Sequence, residues 1–418
     1  MKILFLAPHP FFQQRGTPIA ERQLLEVLAA RGHTIDVLTY PEGEDPGIPN
    51  CRLHRVPDVR LLRGIRPGFS AKKLALDALM VARCLRMVRR GGYDLVHAVE
   101  ESAFMGLLAR RLFGVPYVYD MDSGLARQMA DRFRWLGPAS RALEGCERAA
   151  VRGSVAVLAV CRSLEDKARE YHPAVLVARV EDATLLGPAS PDAERLRDLA
   201  GGPAHPPPSP LESSSEPPIV LYVGNLEPYQ GIDLLLESFA RALPRVPAAR
   251  LVVIGGSPGD IGRYRAKAAA LGLAEAVRFA GPRPVERLGD YLRQAAVLVS
   301  PRVTGDNTPM KVYSYLDAGR PLLATRLPTH TQVLDDEVAM LAAPEPAAFG
   351  DALVRLLEDP ALCERLAGSA RRFAQREFTP AAVETKLLAF YAAVAARLAG
   401  AAATPPADGS PDFAGGAG

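Results

Sequence analysis

Apolar and polar positions along this chain fall into a repeating order of strand, then helix. Residues 3–7 (ILFLA) are a short continuous apolar run, the pattern of a strand covered on both faces. The loop HPFFQQRGTP follows, and then Leu24, Leu25, Leu28 and Ala29 recur at helical spacing until Arg31-Gly32-His33 closes the helix. Residues 34–39 form the next strand and complete one βαβ unit. The order continues with a helix at 71–89, a strand at 95–98, a helix at 102–112, strands at 115–119 and 155–160, and a helix from Ser163. Such alternation predicts an open parallel sheet.

The regularity stops between 182 and 217. Seven prolines and the serines 213–215 crowd residues 203–218, which predicts an extended, solvated linker and not a packed element. A second series begins at 219–223, with a helix at 232–242 and strands at 251–254, 277–279, 297–299 and 322–324. Helices near 347–374 and 380–398 end it. The expected organisation is a first α/β domain over 1–181, a linker over 182–217 and a second α/β domain over 218–375. A closing helix over 376–400 returns to the first domain, and 401–418 form a disordered tail. Ligands in such sheets sit beyond the carboxyl ends of the strands, so the cleft is expected between the domains.

Composition narrows the class. With 418 residues, 48% of them apolar, and 50 basic against 47 acidic side chains, the chain is not mainly disordered and lacks the basic excess of a nucleic-acid binder. Five cysteines without a CxxC pair fit a reduced cytoplasmic interior better than a disulfide framework or a zinc site. The apolar start is too short for a signal peptide, and the longest oily stretch, 387–396, is far below the roughly 20 residues a bilayer needs. A soluble, cytoplasmic protein is expected.

The charge is unevenly spread. Residues 1–180 hold 27 basic and 19 acidic side chains, and residues 181–418 hold 23 and 28. The N-terminal excess lies in 51–95, where eleven Lys or Arg stand against three acidic residues, interleaved with Leu53, Leu61, Leu62, Ile65, Phe69 and Leu74. That segment is either a solvated helix face or a contact with anionic lipid headgroups, peripheral at the inner face of the plasma membrane.

Three loops at strand ends carry candidate chemistry. Gly16, between the first strand and helix, lets a phosphate approach backbone N–H groups at a helix start, unless it is an ordinary loop glycine. Gly224, Asn225, Gln230 and Gly231 form a second anion-receptive turn, or a plain connection. In the third loop Thr308 is expected to cap a helix that Pro309 opens, with the helix dipole and Lys311 both favouring an anion; a well-capped structural helix is the alternative. Asp306 and Asn307 would stand at its mouth.

VGNLEPYQGIDLLLESF, LVVIGGSPGD, VRFAGPRP and NTPMKVYSYLDAGRPLLAT, in this order and spacing, resemble the retaining glycosyltransferases of family 4. The first half resembles them through its glycine-bearing first loop, LAARGHTIDVLT and YDLVHAVEE. The resemblance implies the α/β GT-B fold, two Rossmann-like domains with parallel sheets facing across a cleft. It implies a nucleoside-diphosphate sugar held by the C-terminal domain, a glycan or lipid-linked acceptor held by the N-terminal one, and neither metal nor other cofactor. The implied reaction is hexosyl transfer to an acceptor hydroxyl with retention of configuration. It assigns Lys311 to the leaving diphosphate and Asp306 to the sugar hydroxyls, and places Glu100 by the acceptor or sugar. Gly16, Gly224, Asn225, Gln230, Gly231, Asn307, Thr308 and Ser314 would line the donor.

The chain departs from the family where an arginine and a lysine commonly stand, at Asn225 and Gln230, and where the second glutamate of a pair falls, at Ser314. A family histidine is replaced by Val99; His97 reads as structural, and Asp120-Met-Asp122 as a strand-end loop. These departures keep open a nucleotide-sugar-binding or partner protein without catalysis. A nicotinamide dehydrogenase is disfavoured, because no GxGxxG follows the first strand.

Overall fold

The computed structural model describes all residues except 14–15, 66–69, 125–136, 191, 201–216 and 404–418. Most of the proline-rich stretch and nearly all of the expected tail therefore lie outside the described residues.

Among the described residues two wholly parallel sheets, of seven and six strands, form the frame. The first has seven strands: β1 (Lys2–Ala7), β2 (Thr34–Thr39), β3 (Cys51–Arg55), β4 (Leu95–Val99), β5 (Tyr117–Met121), β6 (Ala156–Ala159) and β7 (Leu176–Arg179). Their order is β3-β2-β1-β4-β5-β6-β7. The second has six: β8 (Ile219–Val223), β9 (Arg250–Ile254), β10 (Val277–Gly281), β11 (Val297–Ser300), β12 (Leu322–Thr325) and β13 (Met340–Ala342), ordered β10-β9-β8-β11-β12-β13. In each sheet the strand order reverses at one place, between β1 and β4 and between β8 and β11. Loops leaving the carboxyl ends there diverge to opposite faces and open a crevice.

Alternation along the central strands explains why both faces are covered. Ile3, Phe5 and Ala7 point into one apolar core while Leu4 and Leu6 point into another. The second of these is roofed by α2 (Ala71–Gly91), α3 (Ala103–Phe113), α4 (Gly137–Gly153) and α5 (Arg162–Tyr171). The first is roofed by α1 (Gly16–Ala30) together with the last helix of the chain. In the second sheet α6 (Ile232–Ala242), α7 (Pro258–Ala270) and α10 (Pro346–Glu358) cover one face. The helices α8 (Leu288–Gln294), α9 (Lys311–Asp317) and α11 (Pro360–Glu377) cover the other. The expected single helix at 347–374 is thus two, because Asp359 caps a new start at Pro360, accepting from Leu362 N at 2.9 Å.

The last helix, α12 (Pro380–Ala403), crosses back to the first domain, where Val383, Leu387, Phe390, Tyr391 and Val394 are buried against α1 and the β1 side of the sheet. At about 1.5–3 kcal/mol for each fully buried side chain, this face holds the helix firmly. Tyr391 Oη lies 2.6 Å from His97 Nδ1, and His97 Nε2 lies 2.9 Å from Asp120 Oδ2, with Phe5 stacked on the imidazole at 4.6 Å. His97 is a fully buried tie between α12, β4 and β5.

The solvated reading of 203–218 falls almost wholly outside the described residues, whereas the described part of the linker at 182–190 and 192–200 packs against the second domain. Leu185 N and Thr184 Oγ1 bond to Ser314 and Asp317 of α9, and a single turn at Leu196–Leu199 buries Leu196 beneath the second sheet. Burying that leucine outweighs the weak helical signal of a four-residue turn.

Candidate active site

The C-terminal half of the crevice is built by two touching turns, one after β8 and one after β11. Gly224 has φ +150°, and a Cβ there would meet Lys311 Nζ at 2.9 Å and Tyr222 Oη at 3.1 Å. Gly231, at φ +74°, admits no side chain because a Cβ would collide with the Pro301 carbonyl. Val303 N also donates to Tyr229 O at 3.0 Å, so the two turns form one surface. Across it Lys311 Nζ donates to Gln230 Oε1 at 3.0 Å and stands 4.0 Å from the centre of the Tyr222 ring. Tyr222 Oη donates to the Asn225 carbonyl at 2.6 Å. Gly224, Asn225, Gln230, Gly231 and Lys311 are thereby brought together.

A residue that sequence reasoning missed completes this group. Arg302 is nearly buried; its guanidinium donates to Thr304 O (2.8 Å), Asn307 O (3.3 Å) and Asn307 Oδ1 (3.1 Å) and lies 5.2 Å from the Tyr229 ring centre. All three hydrogen-bond acceptors are neutral. Among the described residues neither Arg302 nor Lys311 forms an ion pair, although Asp306 lies near enough to favour the charged form of Arg302. Burial, and then the charge of Arg302, hold the Lys311 ammonium well below the ordinary lysine range. Two neighbouring cations whose hydrogen-bond acceptors are all neutral carry a desolvation cost that an incoming anion offsets. The signal in the sequence was an arginine two residues beyond a strand at the switch point, which reads as any loop residue.

Beneath this surface His330 bridges the ends of β11 and β12, with Nε2 2.8 Å from Ser300 Oγ and Nδ1 2.9 Å from Thr325 Oγ1. Burial, aided by the Arg302 and Lys311 charges, pushes its imidazole down to about 3, so it stays neutral at physiological pH.

The N-terminal half supplies carboxylates. Glu100, at φ +48° directly after β4, accepts from Ser123 Oγ at 3.0 Å. Burial and the neighbouring Glu101 raise its carboxyl to about 7. Glu101 is paired with Lys73, which also donates to Pro8 O at 2.8 Å, so this lysine of the basic segment faces the crevice. Burial, then Asp120, raises Asp122 well above the carboxylate range, and burial, Asp120 and Glu181 raise Asp182 to about 7. His9 bonds Glu21 Oε1 at 2.8 Å.

The two halves meet around one peptide. Asp306 O accepts from Ser163 Oγ (3.0 Å) and Gln332 Nε2 (2.8 Å), and Gln332 Oε1 accepts from Ser163 N at 3.2 Å. Asn307 Nδ2 approaches Asp122 O at 3.5 Å. Asp306 and Asn307 thus sit at the seam opposite Asp122, which precedes Ser123, the partner of Glu100.

Three expected site residues lie apart from this group. Thr308 does not cap a helix: α9 begins at Lys311 with Met310 as its N-cap residue, and Thr308 is buried. The 302–307 loop, held by Arg302, enters the helix through a turn in which Val312 N bonds Pro309 O at 2.9 Å. Ser314 is fully buried on the linker side of α9, its hydroxyl accepting from Leu185 N at 3.0 Å. Gly16, exposed at φ +26°, opens α1 on the N-terminal side.

The profile of the Glycosyl transferases group 1 family matches residues 217–359, and that of the Glycosyl transferase 4-like domain matches residues 16–181. The D-inositol 3-phosphate glycosyltransferase of Acidothermus cellulolyticus is 30% identical over 392 residues, which cover 86% of this chain and 82% of the relative. The chain belongs to family 4 of the glycosyltransferases and has the GT-B fold. Solved structures agree in fold. Sucrose-phosphate synthase from Thermosynechococcus elongatus superposes with a TM-score of 0.73 at 22% identity, covering 94% of this chain and 99% of that one. Anabaena Alr3699/HepE, solved in complex with UDP-glucose, gives 0.69 at 16% identity, covering 94% and 100%.

This glycosyltransferase is therefore a sugar-transferring enzyme; one matched region spans the whole second sheet and the other spans the first sheet apart from β1. Among the described residues no three His, Cys, Asp or Glu side chains are arranged to hold a metal ion, Asp120 and Asp122 included. No described helix is long and apolar enough to cross a membrane.

Proposed function

We propose that the enzyme transfers a hexosyl group from a nucleoside diphosphate to an acceptor hydroxyl, with retention of configuration and without a resident metal. The observation that carries this reading is the pair Lys311 and Arg302, two cations without a carboxylate partner among the described residues, at the switch point of the second sheet. When the bond from the anomeric carbon to the phosphate oxygen breaks, its electron pair stays with the diphosphate. The charge that develops falls against these two groups, which are already in position, the arrangement in which electrostatic stabilisation is most effective. Asp306, at the seam, accepts from sugar hydroxyls. The acceptor hydroxyl forms the new bond and loses its proton to Glu100, whose carboxyl near 7 suits a base at neutral pH.

The UDP-glucose complex of the structurally similar Anabaena protein supports a nucleotide-sugar donor. The cytoplasmic acceptor, a glycan or a lipid-linked one, would approach over the N-terminal domain, where Leu61 and Leu74 of the basic segment are exposed. Arg302 supplies the charge missing at Asn225 and Gln230, which removes the main reason to read the fold as a binding protein.

A panel of nucleotide sugars read by nucleotide release tests the reading. Lys311→Ala should lower turnover about 10²-fold with no fall in thermal midpoint, since it removes a buried charge. Unchanged turnover in an assay the parent passes would overturn the assignment.

A further inference from the structure

The edge of the first sheet opposite the crevice carries a second concentration of positive charge. There α3 and α4 end side by side, and Arg110, Arg111, Arg148 and Arg152 line one groove with Leu107. No lining residue of the groove is acidic. Arg110 donates to Gly153 O, Arg152 Nε donates to Tyr171 O at 3.0 Å, and Arg148 lies 5.1 Å from the centre of the Tyr171 ring. Among the described residues none of the four pairs with a carboxylate. The buried Glu147 beside them is turned to Lys167, 2.8 Å away, and to Tyr171 Oη. Arg89 and Arg90, exposed in the last turn of α2, extend the same edge.

Cations favour helix C-termini, and this accounts for Arg110, Arg111 and Arg152 in last turns. It does not account for Arg148, which lies before the last turn, nor for the convergence of four guanidinium groups on a groove with no acidic residue in its described lining. Like charges so placed repel unless an anion joins them. Guanidinium forks match the oxygens of phosphate and hold it bidentately.

We propose that this groove binds a phosphate-bearing anion, at a site separate from the donor crevice. Two sources carry that chemistry, a soluble polyphosphate and the headgroups of an anionic bilayer. Leu112 and Phe113, exposed at the same end of α3, would serve the second by entering the acyl boundary.

The test uses inorganic tripolyphosphate by calorimetry with the donor site saturated by UDP, and co-sedimentation with phosphatidylglycerol or phosphatidylcholine vesicles. The parent should bind at least one anionic probe, more weakly as salt rises, and should ignore phosphatidylcholine. R111Q/R148Q should weaken that binding at least about tenfold while UDP affinity and thermal midpoint stay unchanged. Tripolyphosphate alone identifies a soluble ligand, and vesicles alone a membrane. If the double variant loses stability, R111Q decides the matter, because Arg111 is exposed. Absence of binding to both probes, or equal binding by parent and variant, overturns the proposal.

Discussion

At the scale of single residues, the crevice depends on which charges are left without partners. Lys311 could be named from the sequence because it follows a proline at an expected helix start. Arg302 could not, since only the packed loop shows that its fork is spent on Thr304 and Asn307 and not on a carboxylate. Two substitutions separate its holding role from its charge. Arg302→Lys keeps the charge and loses the fork, so the donor KM should rise about tenfold with kcat within a few-fold of the parent. Arg302→Gln loses both, and kcat should fall about 10²-fold as well. Equal kinetics for the two variants would remove any role for the charge. Glu100 makes a separate prediction. A base works deprotonated, and this carboxyl lies near 7, so kcat/KM should rise with pH through about 7. Glu100→Gln should abolish that rise. His330 cannot produce it, because it is neutral at every pH above about 3. Persistence of the limb in the glutamine variant would assign it to another group.

At the scale of elements, buried central strands announced themselves as unbroken apolar runs, and the amphipathic helices between them by their spacing. The missed strands are β3, β7 and β13, each an edge strand of its sheet. In β3 the sequence CRLHR interleaves charge with apolar side chains, because its pairing comes from β2 and not from its own burial. The start of α9 was misplaced for a different reason. Thr308 and Pro309 form a good local helix-start signal, but the loop bonds made by Arg302 and the burial of Thr308 delay the helix to Lys311. The family resemblance places Ser314 at the donor, whereas its hydroxyl accepts from Leu185 N, a contact with the linker that no local sequence pattern announces. The return of α12 rests on its apolar face and on one polar tie. In that tie Tyr391 Oη–H donates to His97 Nδ1, which leaves Nε2–H for Asp120. Tyr391→Phe strands a fully buried ring nitrogen and should cost about 1–3 kcal/mol, read as a lower urea midpoint at unchanged slope. A midpoint shift of only a few tenths of a kcal/mol would mean that apolar packing alone docks the helix.

At the scale of the whole molecule, the two halves are joined by the chain near 182 and by α12, and acidic groups gather beside that junction. Glu21, Asp120, Asp122, Glu181 and Asp182 line one pocket between α1, the ends of β5 and β6, and α12. Lys386 and Arg179 answer Glu181, His9 answers Glu21, and His97 answers Asp120. Asp182, raised to about 7 by burial, Asp120 and Glu181, carries the consequence for stability. In the unfolded chain an aspartate titrates near 4. Between about 4 and 7 the folded protein therefore holds a proton that the unfolded chain has released. Its stabilising contribution is full below about 4, shrinks as pH rises and is gone above about 7. Asp182→Asn keeps the shape and removes the titration. Its thermal midpoint should exceed that of the parent at pH 8, and the gap should close as the pH is lowered towards 5. Scanning both proteins across that range in one buffer series reads the difference directly. A constant gap, or none, would show that the pocket tolerates a charge at Asp182 without cost.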